Sequence, residues 1–226
     1  MRIKHYGIFK NGMKSILWES LRNNETEIPY YLPNDKGEYL NKVEVNEPSE
    51  LAQIIIQEIE KTRIKKIFSI GSGIAYLEYQ LKKYSDLSVV VSDYNSSILR
   101  LKKFNVFDDA LILNALIDPI PVDEGWVILF PRIDTEFSDD QLDKLFAICH
   151  HSGIKFIYFI PAELLSLRII VAEIKVLLIS ILKNKTKTFC GYARSKGAFC
   201  RIWKPYYTLS KKYKCKNGSI FFLQSK

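Results

Sequence analysis

The middle of this chain consists of short apolar runs separated by amphipathic stretches. Apolar runs of strand-like length cover residues 64–70, 87–92, 110–113, 126–130 and 154–160. Helical spacing of apolar residues covers 49–61, 75–84, 96–104 and 139–151. Because the apolar runs do not alternate with polar residues and helices separate them, they predict a parallel sheet covered on both faces. We therefore expect an α/β fold with a doubly wound, mainly parallel sheet of the seven-stranded type.

The two ends of the chain extend this pattern. Residues 8–22 have helical apolar spacing, and 23–37 contain the Pro, Asn and Gly residues of a loop. We predict an N-terminal helical cap or lid over 1–48 and a Rossmann-like domain over 49–226. Residues 203–209 and 219–224 predict two extended segments with a turn at 216–218, and these would form an antiparallel edge of the sheet.

The most apolar stretch, residues 162–182, is predicted to be a helix that does not span a membrane. Four charged residues lie inside it, and each would be costly at the depth of a bilayer: Glu163, Arg168, Glu173 and Lys175. Its apolar residues lie almost all round the helix, which indicates burial, within the protein or in a homo-oligomer, or contact with a membrane surface. The N-terminus lacks the apolar segment of a secretory signal, so we expect a cytoplasmic protein.

The charge of the chain is strongly asymmetric. The 226 residues contain 33 Lys plus Arg and 25 Asp plus Glu, a formal charge of +8. No acidic residue follows Glu173, whereas 13 basic residues do, so residues 1–173 carry −5 and the last 53 carry +13. This tail favours an anionic partner, which is a phosphate-bearing substrate, a nucleic acid or an acidic membrane surface. A solvated lysine-rich face is the alternative.

The cysteine and histidine residues do not predict a metal site. The four Cys include no Cys-x-x-Cys pair, and the three His do not complete a zinc-ligand spacing. We expect reduced thiols and no bound metal.

A glycine turn followed by an acidic strand end is the sharpest local signal. The strand at 64–70 runs into Gly71-Ser72-Gly73 and directly into a helix, which predicts a tight turn whose main-chain N–H groups approach a ligand. Asp93 ends the next apolar strand, and in a doubly wound sheet it would lie beside that turn. A carboxylate there can accept hydrogen bonds from both hydroxyls of a ribose.

These residues resemble the class I S-adenosylmethionine-dependent methyltransferases. The first motif of that family is an acidic residue followed by three glycines at alternate positions. Gly71 and Gly73 match the first two glycines, Ala75 stands for the third, and Ser69 stands where the family has the acid that supports the amino-acid end of the cofactor. Asp93 matches the acid that holds the ribose. The resemblance implies a methyltransferase that uses S-adenosylmethionine.

The resemblance extends over roughly residues 49–160. Asn114-Ala115 fall where the family has the Asp-Ala pair beside the adenine, and Asp109-Ala110 are the competing match. By position, Ser69, Gly71, Ser72, Gly73, Asp93, Tyr94, Asn114, Ala115 and Phe130 make up the predicted cofactor site. The segment 130–134 is not the Asn/Asp-Pro-Pro-aromatic motif of amino-group methyltransferases. Arg132 and Asp134 within it are weak catalytic candidates, with an ion pair or a helix cap as the alternative role.

The substrate is expected to contact the segment 161–210, where aromatic and basic residues interleave. Such a mixture can stack a ring and pair with a phosphate, and Tyr192, Arg194 and Arg201 are the predicted substrate-binding residues. Three hypotheses follow: a methyltransferase acting on a small molecule or glycan precursor, an RNA-directed methyltransferase, and a non-catalytic binding protein on the same fold. A nicotinamide-dependent oxidoreductase is disfavoured because Tyr76 stands where its fingerprint needs Gly.

Overall fold

A computed structural model describes residues 2–4, 15–26, 28–162, 192–216 and 218–226, together with 164–167, 170, 171, 174, 175 and 178. The predicted helix over 162–182 and the part of the first predicted helix before residue 15 lie largely outside the described residues. The boundary between a cap and a domain at residue 48 stays a prediction.

The described part of the chain forms a seven-stranded sheet with the order β4-β3-β2-β5-β6-β9-β8. Neighbouring strands from β4 to β6 are parallel, and β9 pairs antiparallel with both β6 and β8. A separate antiparallel pair joins β1 to β7. The strands are β1 (Arg2–Lys4), β2 (Lys66–Ile70), β3 (Ser88–Asp93), β4 (Asp109–Ile112), β5 (Val127–Pro131), β6 (Phe156–Ile160), β7 (Tyr192–Arg194), β8 (Tyr207–Cys215) and β9 (Gly218–Ser225). The predicted α/β fold with a mainly parallel sheet and an antiparallel edge is confirmed.

Helices connect and cover these strands. They are α1 (Ser15–Asn23), α2 (Lys36–Val43), α3 (Glu50–Glu60), α4 (Tyr76–Lys83), α5 (Leu99–Phe104), α6 (Asp139–His151) and α7 (Lys196–Trp203), and short 3₁₀ turns cover Ser96–Ile98 and Ile133–Thr135. The predicted start of α6 is confirmed, because Ser138 and Gln141 form a reciprocal capping box. Ser49 likewise caps α3 by accepting a hydrogen bond from the backbone of Ala52.

Each face of the sheet has its own apolar core. Side chains from α2 to α5 pack with one set of strand residues, among them Ile67, Val89 and Leu129. Side chains from α6 and α7 pack with residues that point the other way, among them Phe68, Val90 and Phe130. Because successive residues of a strand face opposite sides, strands that are apolar throughout bury both faces.

Two segments differ from the sequence prediction. The loop predicted over 23–37 ends two residues too late, because α2 begins at Lys36, where Asp35 caps the helix by accepting from the backbone of Glu38. The extended segment predicted over 203–209 is wrong at its start, because Ser195 caps α7 and this helix continues to Trp203. The strand β8 then begins at Tyr207 and continues through the lysine-rich residues to Cys215.

The turn after β2 requires glycine for two separate reasons. Gly71 has φ of +74°, which side-chain-bearing residues rarely adopt, and a Cβ there would overlap Cγ2 of Ile133. Gly153, in the turn after α6, has a similar φ of +75°, but a Cβ there would meet no atom within 4 Å. A comparison of substitutions at the two glycines therefore separates the cost of backbone strain from the cost of steric overlap.

We predict that Gly71→Ala lowers the free energy of unfolding by about 3 kcal/mol, because left-handed strain and overpacking add. Gly153→Ala is the matched control and should cost about 1 kcal/mol, because only the strain applies. Urea denaturation of both variants measures the difference. Equal losses would contradict the role assigned to Ile133.

Candidate functional site

The carboxyl ends of β2 and β3 are joined by main-chain hydrogen bonds. The N–H groups of Gly71 and Ser72 donate to the carbonyl oxygen of Ser92, at 2.8 and 2.9 Å. The N–H of Gly73 donates to Oδ2 of Asp93 at 3.0 Å, and the N–H of Asn95 donates to Oδ1 at 3.0 Å. The predicted juxtaposition of the glycine turn and Asp93 is therefore present, at the carboxyl edge of the parallel strands.

These bonds correct one expectation about the turn. The N–H groups of residues 71–73 were expected to face a ligand, but all three bond to the end of β3. They are thus used to hold the turn against Asp93. The carboxylate of Asp93 accepts one N–H on each oxygen, and each oxygen keeps a further lone pair for a ligand hydroxyl.

Ser69, where the motif has its acid, is hydrogen-bonded to a buried carboxylate. Its hydroxyl donates to Oε1 of Glu78 at 2.5 Å, and the side chain of Ser72 also bonds to Glu78. Both Ser69 and Glu78 are buried. Burial raises the pKa of Glu78 to about 7, and the nearby charge of Asp93 acts in the same direction. The turn thus has a carboxylate beneath it that is contributed by α4.

The end of β4 lies beside Asp93, because the N–H of Leu113 donates to the carbonyl oxygen of Asp93 at 2.9 Å. Asn114 is exposed there, and its Oδ1 accepts from the N–H of Leu116 at 3.2 Å. Ala115 is buried. The competing match, Asp109, starts β4 at the opposite edge of the sheet and pairs with Lys102. Of the two alternatives, only Asn114 is brought to the site.

Helix α1 lies over this edge. The guanidinium of Arg22 packs against the turn, since a Cβ at Gly73 would lie 2.6 Å from its Nη2. Arg22 is buried, and its Nη1 donates to the carbonyl oxygen of Tyr30 at 2.9 Å while its Cζ lies 5.1 Å from the ring centroid of Trp18. Burial lowers the pKa of Arg22, and the charge of Asp93 opposes that shift. Helix α1 therefore contributes a side chain to the turn, and a lid formed by residues 1–48 stays a prediction.

The segment after β5 closes the other side of the site. Trp18 donates a side-chain hydrogen bond to Glu136, and burial raises the pKa of Glu136 to about 7. Among the described residues no group bonds its other oxygen, Oε1, although that atom is buried. The charge of Glu136 also acts on Tyr94, which is partly exposed. Glu136 therefore connects the lid helix with the residue that follows Asp93.

The two weak catalytic candidates in this segment have different positions. Arg132 is exposed, with a left-handed φ of +61°, and its N–H donates to the carbonyl oxygen of Ile160 at 2.8 Å. Asp134 is buried and accepts the N–H of Ala162 at 2.7 Å, so it ties the end of β5 to the end of β6. Burial raises the pKa of Asp134 to about 6. This geometry favours a structural role for Asp134.

Phe130 and Arg194 depart from their predicted roles. The ring of Phe130 is fully buried and packs against Phe146 and Phe159, so its side chain belongs to the core. Arg194 is also fully buried, and its guanidinium binds Asp139 Oδ1 at 2.7 Å, the carbonyl oxygen of Asp134 at 2.6 Å and that of Phe137. The structure gives Arg194 a structural role, contrary to the predicted substrate contact.

The other predicted substrate residues are more accessible. Tyr192 is partly exposed, and the guanidinium of Arg194 lies 4.8 Å from its ring centroid. Arg201 is exposed on α7. Neither residue is brought to the Gly71 turn by a contact between described residues, and their contact with a substrate stays a prediction.

Four lysines of the basic tail belong to the edge of the sheet. Lys211, Lys212 and Lys214 are exposed on β8, which ends the strand order, and Lys216 follows it. Lysines on an edge strand discourage pairing with another chain. In the part of the chain that the structure describes, no helix has the length and apolar character needed to cross a membrane, and no cluster of His, Cys, Asp or Glu is arranged to hold a metal ion.

The sequence patterns did not predict Arg22, Glu78 and Glu136 as residues of the site. A signal existed for Glu78, because it precedes Leu81 by three positions and so lies on the buried face of α4. Trp18 and Arg22 are four positions apart and share a face of α1, which marks an aromatic–cation pair. Glu136 carries no comparable pattern, since its burial depends on α1, which is distant in sequence.

Comparisons with known proteins identify the fold. No family model and no curated protein matches the chain. Among solved structures, PigF with SAH is similar with a TM-score of 0.65 and 10% identity, over 97% of this chain and 64% of that one. Human N-acetylserotonin methyltransferase in complex with SAM has a TM-score of 0.60 and 14% identity, over 96% and 63%. Magnesium protoporphyrin IX methyltransferase from Synechocystis PCC 6803 with bound SAH has a TM-score of 0.59 and 7% identity, and the match covers 93% of this chain and 98% of that one.

The chain therefore has the fold of the class I S-adenosylmethionine-dependent methyltransferases. It spans slightly less than two thirds of PigF and of the human enzyme, and nearly the whole length of the Synechocystis enzyme.

The structural role of Arg194 predicts a large loss on truncation. Arg194→Met should lower the free energy of unfolding by about 3 to 5 kcal/mol, because it removes the buried guanidinium that binds Asp139 and the carbonyl oxygens of Asp134 and Phe137. Arg201→Met, at an exposed position, should change it by less than about 0.5 kcal/mol. Denaturant unfolding of the two variants measures both values, and a small effect at Arg194 would restore it as a candidate for substrate binding.

Burial of Glu78 predicts a pH-dependent contribution to stability. Its pKa is raised from 4.5 to about 7, so the neutral form is favoured in the folded state, and the stabilisation is complete below pH 4.5 and lost as the pH rises through 7. The groups that face it are Ser69, Ser72, Asp93 and Tyr39. Between pH 5 and 8 the wild type should lose up to about 3 kcal/mol more unfolding free energy than Glu78→Gln.

Chemical denaturation at several pH values measures this difference. Glu60→Gln, exposed at the end of α3, is the matched control and should follow the wild type. If Glu78→Gln kept the pH dependence of the wild type, the carboxyl group of Glu78 would not be the titrating group.

Proposed function

We propose that this chain is an S-adenosylmethionine-dependent methyltransferase that acts on a small-molecule or glycan-precursor acceptor. The basic residues after Glu173 favour an acceptor that carries a phosphate. The observation that carries the proposal is the bond from the Gly73 N–H to the carboxylate of Asp93. It fixes a carboxylate with free lone pairs beside the glycine turn, where the two hydroxyls of a ribose can bind.

The chemistry of the turn favours S-adenosylmethionine over a dinucleotide. A pyrophosphate needs free main-chain N–H groups at the start of the following helix and no negative charge nearby. Here the N–H groups of 71–73 are already bonded, and the buried carboxylate of Glu78 lies in the first turn of α4. An adenosine cofactor without phosphate avoids both conflicts.

The order of the strands gives the cofactor a direction. Asp93 at the end of β3 holds the ribose, and Asn114, beyond β4, lies on the side where the adenine would bind. The opposite side, above β2, contains the Gly71 turn, Ser69 and Arg22. The residues of this edge thus fit an adenosine with a charged amino-acid end.

When bound, the cofactor supplies a methyl group on a sulfonium, and its transfer depends mainly on holding the acceptor in line. The chain's own contribution is enclosure by α1 and positioning by the segment after β5. An acceptor hydroxyl must also lose its proton. Glu136 is suited to that step, because its buried Oε1 has no hydrogen-bond partner among the described residues and Trp18 of the covering helix α1 bonds to the same carboxyl group.

Two other functions stay open as alternatives. An RNA-directed methyltransferase is motivated by the +13 tail, although four of its lysines lie at the edge of the sheet. A non-catalytic binding protein is the alternative suggested by Ser69, which stands where the family has an acid. The carboxylate of Glu78, which bonds to Ser69, weakens that argument. A cytoplasmic location, contact with a membrane surface and homo-oligomer formation remain expectations from the sequence.

Calorimetric titration of the purified protein with S-adenosylmethionine and S-adenosylhomocysteine, with NAD as the control, tests the proposed cofactor. We expect micromolar binding of the first two and none of NAD. A chain that binds neither would favour the binding-protein alternative. Binding of NAD alone would favour the oxidoreductase.

The role of Asp93 gives a sharper prediction. Asp93→Ala should weaken S-adenosylhomocysteine at least about 30-fold, because it removes charge-assisted hydrogen bonds to the ribose. Asp109→Ala, which changes the acid of the competing motif match at the opposite edge, should leave the affinity within about twofold. Equal effects of the two substitutions would show that the ribose assignment is wrong.

A further inference from the structure

Two buried ionisable side chains flank the glycine turn, and neither contacts a side chain of opposite charge among the described residues. Arg22 is buried against Gly73, and no carboxylate of the described residues lies within ion-pair distance of it. Glu78 is buried beneath Ser69, where the hydroxyls of Ser69 and Ser72 bond to it and no cation of the described residues does. Burying a charge without a counter-charge is costly, so such groups need a reason.

The two side chains reach these residues from different helices. Arg22 comes from the lid and approaches the turn from above, where it packs on Gly73. Glu78 comes from the first turn of α4 and lies behind the end of β2, where Ser69 bonds to it. The turn therefore has a guanidinium packed on Gly73 and, behind the end of β2, the buried hydroxyl of Ser69 bonded to a carboxylate.

We propose that Arg22 and the Ser69–Glu78 pair recognise the zwitterionic amino-acid end of the cofactor. Arg22 binds the α-carboxylate, and Ser69, held by Glu78, accepts a hydrogen bond from the α-ammonium. This assignment rests on the proposed function, because it takes the adenosine to be bound at Asp93. It also accounts for the missing motif acid, since Glu78 supplies from α4 the carboxyl group that position 69 lacks.

The amino-acid end can be tested separately from the adenosine. The probes are S-adenosylhomocysteine, which carries the amino acid, and 5′-methylthioadenosine, which has the same adenosine and no amino acid. Calorimetry with both probes on Arg22→Gln, Glu78→Gln and Ser69→Ala should show at least tenfold weaker binding of S-adenosylhomocysteine. The affinity for 5′-methylthioadenosine should stay within about twofold of the wild type.

Matched variants separate this role from a structural one. Lys103→Gln removes a positive charge from an exposed position on α5 and should leave both affinities unchanged. Asp93→Ala should weaken both probes together, because both contain the ribose. If Arg22→Gln or Glu78→Gln also weakened both probes equally, the residue would act through the fold, and the proposal would be overturned.

A charge-relocation experiment tests the link between positions 69 and 78. Ser69→Asp alone places two carboxylates together and should weaken S-adenosylhomocysteine. The double variant Ser69→Asp/Glu78→Gln keeps one negative charge and should bind within about threefold of the wild type, with thermal unfolding as the check on folding. A double variant as weak as Glu78→Gln, in a folded protein, would contradict the role of Glu78.

The failure of the proposed function has a different signature. A wild-type chain that binds neither probe would lack the adenosine site itself. A wild-type chain that binds both probes equally would keep the adenosine site and overturn the recognition of the amino-acid end.

Discussion

The hydrogen bonds between the end of β3 and the turn after β2 position everything else at this site. They hold Gly71 and Ser72 on the carbonyl oxygen of Ser92 and Gly73 on the carboxylate of Asp93. The chain must therefore reverse within three residues, which requires left-handed backbone at both glycines. The same geometry continues to Ala75, with a φ of +56°, where the methyltransferase motif has its third glycine. A side chain at that position carries strain that glycine would avoid.

Charge at this edge is arranged at a cost to stability. Glu78 and Glu136 are both buried so that their pKa values rise to about 7, and Arg22 is buried so that its pKa falls. All three pKa shifts disfavour the charged form, so ionisation of these groups does not stabilise the protein in the absence of a ligand. Ionisable groups whose pKa values are shifted by burial are typical of functional sites. The edge strand β8 shows the contrasting arrangement, because Lys211 is paired with Glu58 and Lys212 and Lys214 are exposed to solvent.

The sequence predicted the parts of the fold that depend on local pattern. The strand β2, the glycine turn and the position of Asp93 could be predicted because all three lie within one βαβ unit. The start of α6 could be predicted from Ser138 and Gln141 alone. The roles of Arg22 and Arg194 could not be predicted in the same way. Arg22 reaches Gly73 across 51 residues, and Arg194 reaches Asp139 across 55, so only the folded chain brings these pairs together. An arginine in a basic, aromatic segment looks like a ligand contact until its burial is known.

The basic tail illustrates why net charge did not identify a partner. Burial alone would raise the pKa of Glu58, but hydrogen bonds from Lys211, Lys61 and Tyr213 outweigh it and lower that pKa to about 2. Lys211 thus serves to fix β8 onto α3, and its exposed neighbours protect an edge. These roles need positive charge but no acidic residue on the same strand. Lys211, Lys212, Lys214 and Lys216 thus have a place at the edge of the sheet, and an anionic partner must be argued from the site around Asp93 instead.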